Sequence, residues 1–176
     1  MFYETVATLV AGFAGAGLVL VVNKSLRGRL PKWATPVGAG LAMLIATIAN
    51  EYSWYDRTVG GLPEGLDVIA QEENRAAFRP WTYAAPFVDR FVAVDTLSLR
   101  THPAQADLRM VDTLFLGRWA APQKLTVLLD CKGGRRAQLT PAVTVAADGT
   151  VTGADWVEAA GDDPLLAHSC QTEAAS

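Results

Sequence analysis

Two cysteines and two histidines have the widest chemical repertoire in this 176-residue chain. His168-Ser169-Cys170 sets a base beside two nucleophiles. Nucleophilic catalysis needs a base and an orienting group that converge in space, and sequence neighbours on a short helix do not face each other. Ser98, His102 and Asp95 supply the residue types of a hydrolytic triad without a spacing that supports one. Cys131, Cys170, His102 and His168 could in principle form a four-ligand zinc site, but no pair shows the short C-x₂-C or H-x₃-H arrangement. Gly60-Gly61 and Gly133-Gly134 lack the strand-loop-helix setting of a phosphate loop. Asp162-Asp163 reads as helix N-terminal charge. These residues predict no catalytic, metal or cofactor site, and the chain is expected not to be an enzyme.

The elements that would have to position such residues begin with two uncharged apolar runs, Thr5 to Val22 and Trp33 to Ala49. Eighteen residues at about 1.5 Å rise span about 27 Å, close to the hydrocarbon thickness of a thin bilayer. Neither run contains Asp, Glu, Lys, Arg or His. The sequence therefore predicts a two-helix transmembrane hairpin over residues 1–50, with spans at 5–22 and 33–49 and a link at 23–32. A cleaved signal peptide needs a positive segment ahead of its apolar stretch, and Met1 to Thr5 carries only Glu4. The first helix is expected to be retained.

Lys24, Arg27, Arg29 and Lys32 fill the link with positive charge. The positive-inside rule is strongest for short links, so these four are the topology determinants and place the link in the cytoplasm. The N-terminus and everything beyond residue 50 then face the periplasm of a bacterial inner membrane. Pro36 falls in the first turn of the second helix, where its missing N–H costs little. Small residues stack at helical spacing: Ala11, Gly12, Gly15 and Ala16 on the first helix, Gly38, Ala42 and Ala46 on the second. Helices in lipid associate through close van der Waals approach. These faces can pack on each other or dock a foreign helix. Pumps and channels place ionisable groups within the membrane, and none is present here, so the hairpin reads as an anchor or docking surface.

Residues 51–176 hold seventeen acidic and eleven basic side chains, a net charge of −6. That balance argues against binding nucleic acid or an anionic membrane surface. Residues 51–87 are expected to be an irregular, aromatic and proline-rich juxtamembrane segment, in which Leu66 to Gln71 forms a short strand or helical turn. Its Phe78, Arg79, Trp81 and Tyr83 are candidate partner contacts, since such side chains concentrate binding energy.

Residues 88–176 predict a mainly antiparallel β extracytoplasmic domain. Alternation places Phe91, Ala93, Leu97 and Leu99 on one parity of a strand over Asp89 to Leu99. Asp107 to Trp119 is a second strand. Leu125, Val127, Leu129 and Cys131 share one face of a third. Gly133-Gly134 and Asp148-Gly149 are turn signals flanking strands over Arg135 to Ala147 and Thr150 to Val157. Five strands with tight turns form a meander or small open barrel. A short helix follows at Asp162 to His168, and Glu173 to Ser176 reads as a loose end. Arg135 and Arg136 make a basic tip that could meet an acidic partner. Cys131 and Cys170 fall on the oxidising side, where a disulfide persists; closing about 40 residues, it would stabilise by roughly 4 kcal/mol.

These features predict a non-catalytic accessory subunit of a larger bacterial inner-membrane complex, of respiratory or photosynthetic type, in contact with an integral membrane protein complex and bilayer lipids and with no nucleic acid or cofactor. The alternatives are a membrane-anchored periplasmic assembly factor or chaperone, and a periplasmic ligand-binding or sensor domain, which requires a concave pocket.

Overall fold

The computed structural model describes residues 2–77 and 79–172. Phe78 and the expected loose end at 173–176 lie outside the described residues. The chain divides into two compact units, Met1–Arg57 and Thr58–Ser176.

The first unit is built from α1 (Phe2–Ser25) and α2 (Ala34–Val59). Among the described residues α1 is the one helix long and apolar enough to cross a bilayer, with a mean hydropathy of 2.2. Such a helix can be a membrane anchor or a signal sequence. α2 falls short of that measure. Thr35, Pro36, Gly38 and Gly40 dilute its apolar half, and Asn50-Glu51 follow Ala49 directly. α2 also continues to Val59, so Glu51 to Val59 is helical rather than irregular. No Gly or Pro interrupts that stretch until Gly60-Gly61, and Arg57 Nη2 bonds Asn50 Oδ1 at 2.6 Å along the helix.

The basic link is a tight turn. Gly28 N–H donates to Asn23 O at 2.8 Å, Leu30 N–H donates to Asn23 Oδ1 at 3.0 Å, and Arg27 and Gly28 both take positive φ. Lys24, Arg27, Arg29 and Lys32 are all exposed. The two helices meet on their glycines. A Cβ added at Gly15 would lie 2.5 Å from Ala42 Cβ and 2.7 Å from Gly38 O, and one at Gly12 would run into Met43. Ala11, Ala16 and Ala46 are half-buried beside this contact. Gly17 and Gly40 have nothing within 4 Å. Overpacking a close contact costs about 1–3 kcal/mol. Gly15→Leu is therefore expected to weaken the helix pair measurably in detergent unfolding, and Gly17→Leu to leave it unchanged. Equal effects of the two variants would place the contact elsewhere.

The second unit is an open antiparallel sheet in the order β1-β2-β3-β4-β5-β8, with a separate β6-β7 pair. Its strands are β1 (Leu66–Asn74), β2 (Phe87–His102), β3 (Gln105–Gly117), β4 (Gln123–Asp130), β5 (Arg135–Gln138), β6 (Thr144–Val145), β7 (Val151–Thr152) and β8 (Val157–Glu158). A 3₁₀ turn at Pro80–Tyr83 precedes β2, and α3 (Pro164–Gln171) closes the described chain. β1 to β5 form a meander; β2 to β5 fall where strands are expected, whereas β1, in the segment expected to be irregular with only a short strand or helical turn over Leu66 to Gln71, is a nine-residue strand paired with β2. The long strand expected over Arg135 to Ala147 is broken after Gln138. Pro141 has no N–H for a ladder, and Val143 N–H turns back to Thr140 O at 2.9 Å.

The parity of β2 also differs from simple alternation. Its pairing with β3 runs Asp95↔Asp112 and then Arg100↔Met110, so three extra residues bulge out of β2. An odd insertion exchanges the two faces. Leu97 is left 70% exposed, while Leu99 joins Val94 on the face opposite Phe91 and Ala93. The bulge is held by Thr96, whose N–H and Oγ1 both donate to Gly65 O at 2.8 Å.

α3 packs on one half of a sheet face. Leu165 is buried with Val94, Leu99, Val111, Val127 and Leu129. Asp163 caps the helix, its Oδ1 accepting from Leu165 N–H at 3.0 Å and Leu166 N–H at 3.2 Å, and its Oδ2 lies 2.9 Å from Arg136 Nη1. Pro164 follows at the first helical position, where its fixed φ suits helix initiation. Arg109 Nη1 donates to the C-terminal carbonyls of Ser169 at 2.7 Å and Thr172 at 2.5 Å. Cys131, one residue past β4, is disulfide-bonded to Cys170 on α3.

Candidate functional site

The register fixes which side chains share the α3 face. Successive rows are Arg109/Leu129, Val111/Val127, Thr113/Leu125 with Val94, Phe115/Gln123 with Val92, and Gly117 with Arg90. Eight residues of helix reach about 12 Å, and the core that α3 covers includes Val94, Val111, Val127 and Leu129. The apolar strip continues beyond it through Leu125, Val92 and Phe115, the last 40% exposed. Here the β3–β4 connection, residues 118–122, folds back over the sheet. Arg118 N–H donates to Asp89 O at 2.8 Å, and a Cβ at Gly117 would stand 3.3 Å from Ala120 Cβ. The result is an open hollow of about 580 Å³, floored by Val92, Phe115 and Leu125 and walled by Trp119, Ala120 and Ala121. That size suits a small-molecule site.

Polar groups at the hollow are few. The Arg118 guanidinium lies over the Trp119 ring, 4.9 Å from its centroid. Arg90 lies 3.3 Å from Glu72 Oε2 and 3.7 Å from Asp89 Oδ2, and Asp89 also accepts from Asn74 Nδ2 at 3.3 Å. Gln123 stands at the β4 end. A smaller hollow of about 290 Å³ lies between Leu108, Met110 and Leu128 and the chain around Leu139 and Val145.

The residues with chemical potential do not converge. Cys131 and Cys170 are joined in the disulfide, which removes both thiolates from a nucleophilic or zinc-binding role. Ser169 Oγ is buried with no hydrogen-bond partner in the protein. His168 Nε2 lies 3.3 Å from Asp67 Oδ2, outside hydrogen-bond geometry. Ser98 Oγ donates to the backbone oxygen of Asp95 at 2.7 Å and accepts from Asp112 N–H at 2.9 Å, while His102 Nδ1 accepts from Ala104 N–H at 3.3 Å. No triad forms from these three.

The candidate contact residues are placed as follows. Trp81 and Tyr83 are exposed in the 3₁₀ turn, at the same end of the sheet as Trp119. Arg79 lies over the Phe87 ring at 5.9 Å. Arg135 Nε pairs with Asp130 Oδ2 at 2.8 Å, and its guanidinium covers the Trp156 ring at 4.7 Å. Arg136 holds the α3 cap residue Asp163. Both arginines thus have partners within the domain. The hollow at Phe115 and Trp119 is the feature that sequence reasoning missed; alternation assigned Trp119 to a strand, and the back-folded loop depends on the close Gly117–Ala120 approach.

On the other sheet face, Asp112 is held by Lys124 Nζ at 2.7 Å and Thr126 Oγ1 at 2.6 Å. Burial works to raise its pKa, but those hydrogen bonds and the charges of Lys124 and Arg100 hold it below its ordinary 3.8. Asp130 is likewise lowered: burial opposes, while Gly133 N–H and Arg135 outweigh it. A carboxyl depressed in the folded state stabilises above its unfolded pKa, and that stability is lost as pH falls through the folded value. The sheet domain is therefore expected to lose stability below about pH 4, with Asp112→Asn reducing the difference between pH 7 and pH 3 in urea titrations. An unchanged difference would show that the Asp112–Lys124 pair contributes nothing.

Compared with known proteins, the chain matches no protein family, no curated protein and no solved structure.

Proposed function

We propose that the chain is a non-catalytic accessory subunit of a larger membrane complex, of respiratory or photosynthetic type. In this reading α1 is retained as an anchor. α2 crosses as well, with its last turns emerging among Tyr52, Trp54 and Tyr55 at the outer interface. The basic link stays in the cytoplasm, and the sheet domain caps the complex in the periplasm, where the Cys131–Cys170 bond persists.

The observation that carries the reading is the helix pair itself. Its two apolar runs hold no ionisable group. It meets through Gly12, Gly15, Gly38 and Ala42, and it keeps Phe13, Leu20, Val21 and Leu41 on exposed surfaces. Runs of that kind can anchor and dock, and they hold no group with which to move an ion or a proton. Exposed Trp81 and Tyr83 add a contact surface of the composition that dominates protein interfaces.

Purification of the tagged chain in mild detergent tests this. Other membrane proteins should co-elute at constant stoichiometry. Elution alone, at the size of its own micelle, would contradict it. The hollow of about 580 Å³ favours a second reading, a ligand-binding domain, because that function requires a concavity and the sheet provides one.

A further inference from the structure

We propose that the sheet end carrying Trp81, Tyr83 and Trp119 seats in the headgroup layer of a zwitterionic phospholipid bilayer, with acyl chains filling the apolar hollow beside Trp119. This goes beyond the accessory-subunit reading, since it gives to lipid the rings that a protein partner could also cover. It rests on α1 being retained as an anchor and needs no partner complex.

Two ordered loops hold the rings outward. Thr82 is fully buried, and its Oγ1 accepts from Ala76 N–H at 3.0 Å and donates to Arg79 O at 2.8 Å. Ala84 and Ala85 N–H donate to Trp81 O at 3.1 and 2.9 Å. With Thr82 turned inward, its neighbours Trp81 and Tyr83 stay at the surface, Tyr83 60% exposed. Trp119 is 56% exposed on the second loop, which Arg118 N–H ties to Asp89 O at 2.8 Å. Loops ordered in advance lose little entropy on docking. Tryptophan and tyrosine concentrate at membrane–water interfaces because each has an apolar body and a polar tip.

Charge and shape favour lipid of this kind. The net charge of −6 over residues 51–176 disfavours an anionic surface, which leaves a zwitterionic one. The two loops, residues 75–86 and 117–122, contain no Asp or Glu, so no loop carboxylate has to enter the headgroup layer. At the adjoining strand ends Glu72 and Asp89 lie 3.3 and 3.7 Å from Arg90, and Glu73 lies 3.9 Å from Arg75. The hollow of about 580 Å³ has an apolar floor of Val92, Phe115 and Leu125 and opens to the surface. A gap left beneath a rigid partner forfeits dispersion contacts, whereas fluid acyl chains conform to the space.

Tryptophan quenching by brominated phosphatidylcholine, with the purified full chain in nanodiscs, tests the proposal. Trp156 is the internal reference, since it stacks with Arg135 at the end of β4 opposite Gln123. The emission lost to bromine should fall by about half when Trp81→Phe and Trp119→Phe are combined, leaving the share from Trp33 and Trp54 of the helix unit. Trp156→Phe should leave that loss unchanged. Tyr83→Asp, which keeps every tryptophan, should lower it toward the level of the combined variant, and it carries the test alone should a Phe variant fail to fold. A loss unchanged in the combined variant or in Tyr83→Asp, or one that falls as far in Trp156→Phe, would overturn the proposal. A chain that enters nanodiscs without quenching at the sheet end rejects this proposal alone; one that does not enter them rejects the anchor with it. Quenching at the sheet end with no co-eluting partner in purification would support the proposal and reject the subunit reading.

Discussion

Replacing both Cys131 and Cys170 with alanine is expected to lower the stability of the sheet domain by roughly 4 kcal/mol, the largest effect of any change outside the core. The bond closes a loop with a sequence separation of 39. In the chain-entropy model it acts on the unfolded state, by restricting the ensemble that β5 to α3 can explore. It also acts locally, because α3 has only eight residues and would not be stable alone. Without the bond, α3 is held by Leu165 in the core, the Asp163–Arg136 pair and the two Arg109 hydrogen bonds. For a domain of this size several kcal/mol corresponds to a fall in Tm on the order of 10 °C or more. Thermal unfolding with and without reductant reads the effect directly, and an unchanged Tm would show that α3 is secured by its other contacts.

Leu129→Ala should cost about 2–5 kcal/mol. Leu129 is fully buried at the row shared with Arg109 and Arg136, and it packs in the cluster that contains Leu165. Truncation removes apolar burial and leaves a cavity beneath α3. Because Cys131 is two residues away and its partner sits on α3, the cost should not add to that of losing the disulfide. With α3 already loosened, the site can collapse and the second loss shrinks. Chemical unfolding of the two single variants and the combined one checks this. Strict additivity would mean that Leu129 and the disulfide act on independent parts of the domain.

The regular parts of the fold were legible because local chemistry and tertiary packing agree there. Val127 and Leu129 alternate inward as period two predicts, Gly134 and Gly149 take the positive φ that their turns require, and Asp163-Pro164 opens α3. Legibility ended where a distant contact decided the outcome. The face of Leu99 depends on a bulge pinned by Gly65, more than thirty positions upstream. α2 runs past Asn50 because nothing breaks it, although its composition changes from apolar to polar. The chain from Leu139 to Glu158 yields only short strands, since Pro141, Gly149 and Gly153 bend it repeatedly. The disulfide was legible from the count of two cysteines and the compartment expected for them, whereas the hollow beside Trp119 was not, because it arises from a loop turning back on Gly117.

In the proposed topology a two-pass anchor holds the sheet domain on the oxidising side of the membrane. Reporter fusions test it most directly, using an enzyme that folds only outside the cytoplasm and a fluorescent protein that folds only inside. Fused after Thr172, the first should be active and the second dark; inserted at Arg29 in the basic link, the pattern should reverse. A sheet-domain fusion that is fluorescent and enzymatically silent would contradict this topology.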